Sequence, residues 1–200
     1  MLKKLLQNPV FQTATVLFGV FVLQFSLSQE SLIEKYFILS TPLEIYPWTI
    51  KTNIYSHAGF GHFSSNLIAL LFFGLPIARL TSVFRFHSFF IIVGSLAGIS
   101  QVLTLHYLAQ LGIISLDPIP GVLGASGAIF GLMGYFLVSN SASTFVSSFI
   151  NPPSYLRYSL YIGLAFSVTI ATASPGAALI AHFVGFLLGL LAGKKKLLKS

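Results

Sequence analysis

Six apolar runs, over 9–27, 61–77, 89–108, 122–138, 156–172 and 177–192, alternate with shorter polar connections. No other feature constrains the fold as strongly. Runs of this length belong in a bilayer, where backbone N–H and C=O groups must be satisfied internally, and a helix does this within each segment. The chain therefore reads as an all-α integral membrane protein, a six-transmembrane-helix bundle forming a single domain over 1–200. Composition agrees, with 55% of residues hydrophobic, 8% charged and a mean hydropathy of +0.87. The rival reading of the first run is a secretory signal, whose core is about 7–15 residues and ends at a small-residue cleavage site. The 9–27 run is longer, and Ser26-Leu27-Ser28-Gln29-Glu30 makes a weak site, so the run reads as an anchor.

Eleven Lys and Arg against four acids would suit a nucleic-acid partner, but position argues otherwise. With a cytoplasmic N-terminus, Lys3, Lys4, Arg79, Arg85, Arg157, Lys194, Lys195, Lys196 and Lys199 fall inside, and only Lys35 and Lys51 outside. Glu30, Glu34, Glu44 and Asp117 all fall outside. This asymmetry is the positive-inside pattern, so the basic residues report topology and no nucleic acid is needed. The expected location is a prokaryotic plasma membrane, with both termini cytoplasmic. Between the spans, 29–60 reads as an outer loop with interfacial aromatics Tyr46, Trp48 and Tyr55. The 139–155 stretch reads as a polar connection whose 145–150 segment dips into the interface, and 173–176 as a tight turn.

Polar residues inside apolar spans need a partner or a cavity. Spans two, four and six run in parallel from outside to inside. Ser126 lies about four residues into span four and His182 about six into span six, roughly 6–9 Å below the outer boundary. His62 and Asn66 open span two, on one face. His182, Gly185, Gly189 and Gly193 make one stripe, and Gly127, Gly131 and Gly134 make another beside Ser126. Such small-residue stripes let helices approach closely, which would bring the Ser126 hydroxyl to the imidazole. Taken alone, Ser126 reads as a packing residue bonded to its own backbone. A serine, two histidines and an asparagine at one depth on three helices point to chemistry instead. His57 reads as a supporting residue beside span two, His87 as a snorkelling interfacial residue, and His106 as interfacial.

The chemistry narrows by elimination. No cysteine offers a thiol, no H-E-x-x-H motif offers a zinc site, and no carboxylate lies in any span to build an aspartyl pair. Serine with histidine remains: His182 takes the Ser126 proton as the oxygen attacks a carbonyl, then returns it to the leaving amine. No cofactor or metal is called for. Phe130, one turn along from Ser126, is placed to lie against the imidazole. His62, Asn66 and the Ser126 backbone N–H are the oxyanion donors.

Three stretches, His57-Ala-Gly-Phe-Gly-His62-Phe-Ser-Ser-Asn66, Gly124-Ala-Ser126-Gly-Ala-Ile-Phe130-Gly131 and Ala181-His182-Phe-Val-Gly185-Phe-Leu-Leu-Gly189, resemble the rhomboid intramembrane serine proteases in order and in span. The resemblance implies a rhomboid-like bundle over nearly the whole chain and a Ser126–His182 dyad with His62 and Asn66 as oxyanion stabilisers. It further implies cleavage of membrane-anchored proteins in or near their transmembrane segment, with span five and the 173–176 turn as a gate and small residues at the scissile bond. Two positions depart from the family pattern: Phe130 stands where tyrosine is frequent, and Thr49 follows Trp48 where many members have arginine. The alternatives are a rhomboid-like membrane chaperone or quality-control protein with a dormant dyad, and a small transporter. The last would need an intramembrane carboxylate that is absent here.

Overall fold

The computed structural model describes residues 7–27, 30–116, 118–139 and 153–199. Lys3, Lys4, Asp117 and the 145–150 segment lie outside the described residues. Eight helices are present among them: α1 (Pro9–Ser26), α2 (Glu30–Phe37), α3 (Thr49–Thr52), α4 (Phe60–Ala78), α5 (Val83–Gln110), α6 (Ser126–Ser139), α7 (Ser154–Ala171) and α8 (Leu179–Lys194), with a 3₁₀ turn at Asn53–Tyr55. Helix starts follow local chemistry. Asn8 Oδ1 accepts from the Val10 N–H at 2.9 Å with Pro9 at the first helical position, and Ser82 Oγ accepts from the Arg85 N–H.

Each expected span contains a helix, but span four begins later than its apolar run. Val122 pairs with Leu39 through bonds of 2.9 and 2.8 Å in an isolated antiparallel bridge, and α6 starts only at Ser126. An apolar stretch is compatible with helix or strand, and here the Leu39 pairing decides. At 14 residues, α6 is about 21 Å long, too short alone for a hydrocarbon core of about 30 Å. The non-helical Gly121–Ala125 segment precedes it, with Val122 in the bridge and Gly124 at a φ of +127°. Irregular backbone is tolerated at such depth when protein covers it, and both Leu39 and Ala125 are fully buried.

The centre of the molecule is the α6–α8 pair, flanked by α4 and α5. Leu70, Phe86, Phe90, Ala128 and Leu132 fill the main core, with Val10 and Leu17 of α1 against it. Conversely, Phe25, Ile68, Phe72 and Phe84 point outward, as side chains facing lipid do. The glycine stripes divide their work. A Cβ on Gly185 would strike the Gly127 carbonyl, one on Gly189 the Gly131 carbonyl, and one on Gly134 the Phe186 carbonyl. Gly127 and Gly131, expected to admit span six, mainly open toward α5: a Cβ there would lie 2.8 Å from Ala97 Cβ and 2.6 Å from Val93 Cγ1. Among the described residues, helix α7 packs substantially only on α8, and buries only Ala165 and Thr169.

Candidate active site

The Ser126 hydroxyl and His182 Nε2 are 3.0 Å apart. Ser126 is the first residue of α6, and His182 lies in the first turn of α8, so the two helix starts face each other. This corrects the expected position of Ser126 some four residues inside a helix. The difference matters chemically, because the first N–H groups of a helix have no intrahelical acceptor and carry its positive dipole end. Ser126 thus combines a hydroxyl with backbone donors that a mid-helix serine would have spent.

The His182 ring is 8% exposed and stacks on Phe130, with centroids 4.2 Å apart and planes 11° apart. Its Nδ1 finds no hydrogen-bond partner among the described residues. Ring stacking, rather than a carboxylate, therefore fixes the plane of the imidazole. With the proton on Nδ1, Nε2 accepts from the serine.

Opposite stands α4. The His62 imidazole lies against Gly124, where a Cβ would come within 2.7 Å of Cε1 and 2.9 Å of Nε2, and where φ is +127°. Both the space and the backbone conformation favour glycine there. The Ala58 N–H donates to His62 Nδ1 at 3.4 Å, which leaves the proton on Nε2. Asn66 is buried; its Nδ2 donates one hydrogen to the His62 carbonyl at 2.8 Å, leaving a second. Ser126, His182, His62, Asn66 and Phe130 all line one cavity of about 1060 Å³, partly walled by Ser174, Pro175 and Gly176 of the turn before α8.

His57 is one shell further out. It packs edge-on against His62 (centroids 5.1 Å, 70°) and Phe63 (5.6 Å, 85°). Burial first, and the neighbouring His62 second, hold its imidazole down to about 4, so it is neutral at pH 7; only the Tyr55 backbone acts in the opposite direction. His87, expected at the interface, is half-buried with Nε2 2.8 Å from Gln12 Oε1, tying α5 to α1. His106 meets Thr41 Oγ1 at 3.3 Å. Trp48 is held without a following arginine: its Nε1 donates to the Lys35 carbonyl at 2.9 Å, and the Tyr36 and Tyr46 rings flank it.

Two glutamines emerge that motif reasoning missed. Helix α8 has no side-chain cap of its own. Gln101 of α5 supplies one, its Oε1 accepting from the N–H groups of Ile180 at 3.0 Å and Ala181 at 3.2 Å, immediately before His182. Gln24 of α1 accepts from the His57 N–H at 2.9 Å. The available signal was an amide in an otherwise apolar span, which is costly unless partnered.

The helices, the part-buried serine–histidine contact and the lateral placement of α7 define a multi-pass helical membrane protein with a cavity inside its bundle that holds a serine, two histidines and an asparagine. The rhomboid domain family matches residues 44–198, and the chain belongs to that family. It is 31% identical over 156 residues to YdcA of Bacillus subtilis, named for the rhomboid proteases, covering 74% of this chain and 69% of that one. It is 28% identical over 173 residues to the mitochondrial rhomboid protein 1 of Saccharomyces cerevisiae, covering 80% of this chain. The match spans 45% of the yeast protein's length.

Proposed function

We propose that the chain is an intramembrane serine endopeptidase that cleaves membrane-anchored proteins in or near their transmembrane segment. The single observation carrying this reading is the 3.0 Å contact between Ser126 Oγ and His182 Nε2, with Phe130 stacked on the base. Ser126 Oγ attacks the scissile carbonyl carbon as its proton passes to His182 Nε2. The developing oxyanion takes hydrogen bonds from His62 Nε2–H, the free Asn66 amide hydrogen and the N–H groups at the start of α6. Collapse breaks the C–N bond, His182 gives its proton to the departing amine, and an ester to Ser126 remains. Water then attacks the ester with His182 again as base, releasing the acid and restoring the serine.

Substrate would enter between α7 and the rest of the bundle, since among the described residues α7 is the least packed span, and it adjoins the turn that partly walls the cavity. The sidedness of the basic residues supports cytoplasmic termini and a site opening to the outer face, and the bacterial relative is in keeping with a prokaryotic plasma membrane. An intact serine–histidine pair weighs against a purely chaperone-like role. The test is labelling of purified protein by a serine-reactive fluorophosphonate, together with cleavage of a reconstituted transmembrane substrate. Ser126→Ala should abolish both, and His182→Ala should remove cleavage. Undiminished cleavage by Ser126→Ala would overturn the mechanism.

A further inference from the structure

At the end of the bundle away from Ser126, a second cavity of about 410 Å³ lies between the beginning of α5 and the last turns of α8. Its walls are apolar, formed chiefly by Phe89, Ile92, Leu96, Leu188 and Leu191. Ile92 is 57% and Leu96 45% exposed, so the groove opens sideways to the surroundings of the bundle, which for a membrane protein are acyl chains. Arg85 and Lys195 stand on its rim. The Arg85 guanidinium donates to the Lys199 carbonyl oxygen. Among the described residues no acidic side chain neutralises either cation: beyond Glu44 the only acid in the sequence is Asp117, which follows α5.

We infer that this groove is a binding site for an anionic phospholipid, with one acyl chain lying between α5 and α8 and the phosphate between Arg85 and Lys195. An apolar slot calls for hydrocarbon, and two cations at its mouth, with no acidic side chain beside them among the described residues, call for a negative group at headgroup depth. A zwitterionic lipid fills the slot but brings its own cation to the rim. Basic pockets between transmembrane helices select anionic headgroups on these grounds. Arg79 and Lys196, which follow α4 and α8, do not line the groove and so separate this site from diffuse attraction to a charged surface. The inference depends on membrane residence and is independent of the proposed peptidase chemistry.

The test is native mass spectrometry of the whole chain, delipidated in neutral detergent and titrated with phosphatidylglycerol, phosphatidylcholine or soluble glycerol phosphate. Phosphatidylglycerol should be retained in preference to phosphatidylcholine, and glycerol phosphate should not bind. Arg85→Gln with Lys195→Gln should weaken phosphatidylglycerol about 25-fold, about fivefold per charge, and leave phosphatidylcholine unchanged. Arg79→Gln with Lys196→Gln should leave the preference intact. Ser88→Phe, which fills the groove wall, should weaken both lipids; the exposed charge pairs keep the test decisive if that variant does not fold. Three results would each overturn the inference: equal retention of the two lipids, equal loss in the two charge-pair variants, or equal binding of glycerol phosphate.

Discussion

Gly185→Ala adds one methyl group where α8 lies on α6. Its Cβ would overlap the Gly127 carbonyl oxygen and sit 3.0 Å from the Gly127 carbonyl carbon and 3.3 Å from its Cα. These are backbone atoms, so no rotamer change relieves the contact. To reach an ordinary separation of about 3.5–4.0 Å, α8 must move by on the order of 1 Å. Overpacking of this kind typically destabilises by about 1–3 kcal/mol. The displacement falls one residue from Ser126 and one turn from His182, and would open their 3.0 Å bond beyond hydrogen-bonding range. Misplacing reacting groups by about 1 Å lowers the rate roughly 10²-fold. In a reconstituted cleavage assay, kcat should therefore fall about 10²-fold with little change in KM, alongside a lowered unfolding midpoint in detergent. Gly189→Ala meets the Gly131 carbonyl, one turn further along. It should destabilise similarly and reduce kcat less. Gly163→Ala on α7, with nothing within 4 Å, should change stability by less than about 1 kcal/mol. Wild-type turnover and stability in Gly185→Ala would refute the close-approach argument.

Two further outcomes are expected. Gln101→Leu removes the acceptor for the Ile180 and Ala181 N–H groups, destabilising by about 1 kcal/mol, as loss of a helix cap does. It should lower kcat more than it raises KM, while Gln101→Glu, which keeps an acceptor, should recover much of the loss; equal activity in all three proteins would dismiss the capping role. For His57, the folded value of about 4 lies below the unfolded value of about 6.5. The unfolded chain therefore binds the extra proton between those pH values, and stability present above about 6.5 is lost as pH falls toward 4, with a linkage limit of about 3 kcal/mol. His57→Phe should flatten that part of the unfolding midpoint against pH profile between 7.5 and 4.5; parallel profiles would show that another group carries it.

Much of the architecture is one-dimensional information. A bilayer demands apolar segments of a minimum length, so the runs 9–27, 61–77 and 89–108 mark the helices over Pro9–Ser26, Phe60–Ala78 and Val83–Gln110, the last of which starts six residues before its run, at the Ser82 cap. The pairing of Ser126 with His182 could be read too, because polar residues in apolar spans must face one another and the glycine periodicity marks the faces that approach. Phe130 followed from its place one turn along the same helix.

What the tertiary structure decided depends on partners distant in sequence. Apolar Val122–Ala125 suits helix or strand equally; pairing of Val122 with Leu39 and the positive φ of Gly124 keep it out of the helix and bring α6 to its start at Ser126, where the first N–H groups have no intrahelical acceptor. Gln101 reaches a helix 79 residues away, a relation invisible to any local periodicity. Gly127 and Gly131 lie on a helix with two close neighbours, and only packing reveals that their missing side chains admit α5 while their carbonyls receive α8. Hydropathy along a chain says which segments enter the membrane; which backbone groups remain unspent there is settled by the surfaces the segments meet.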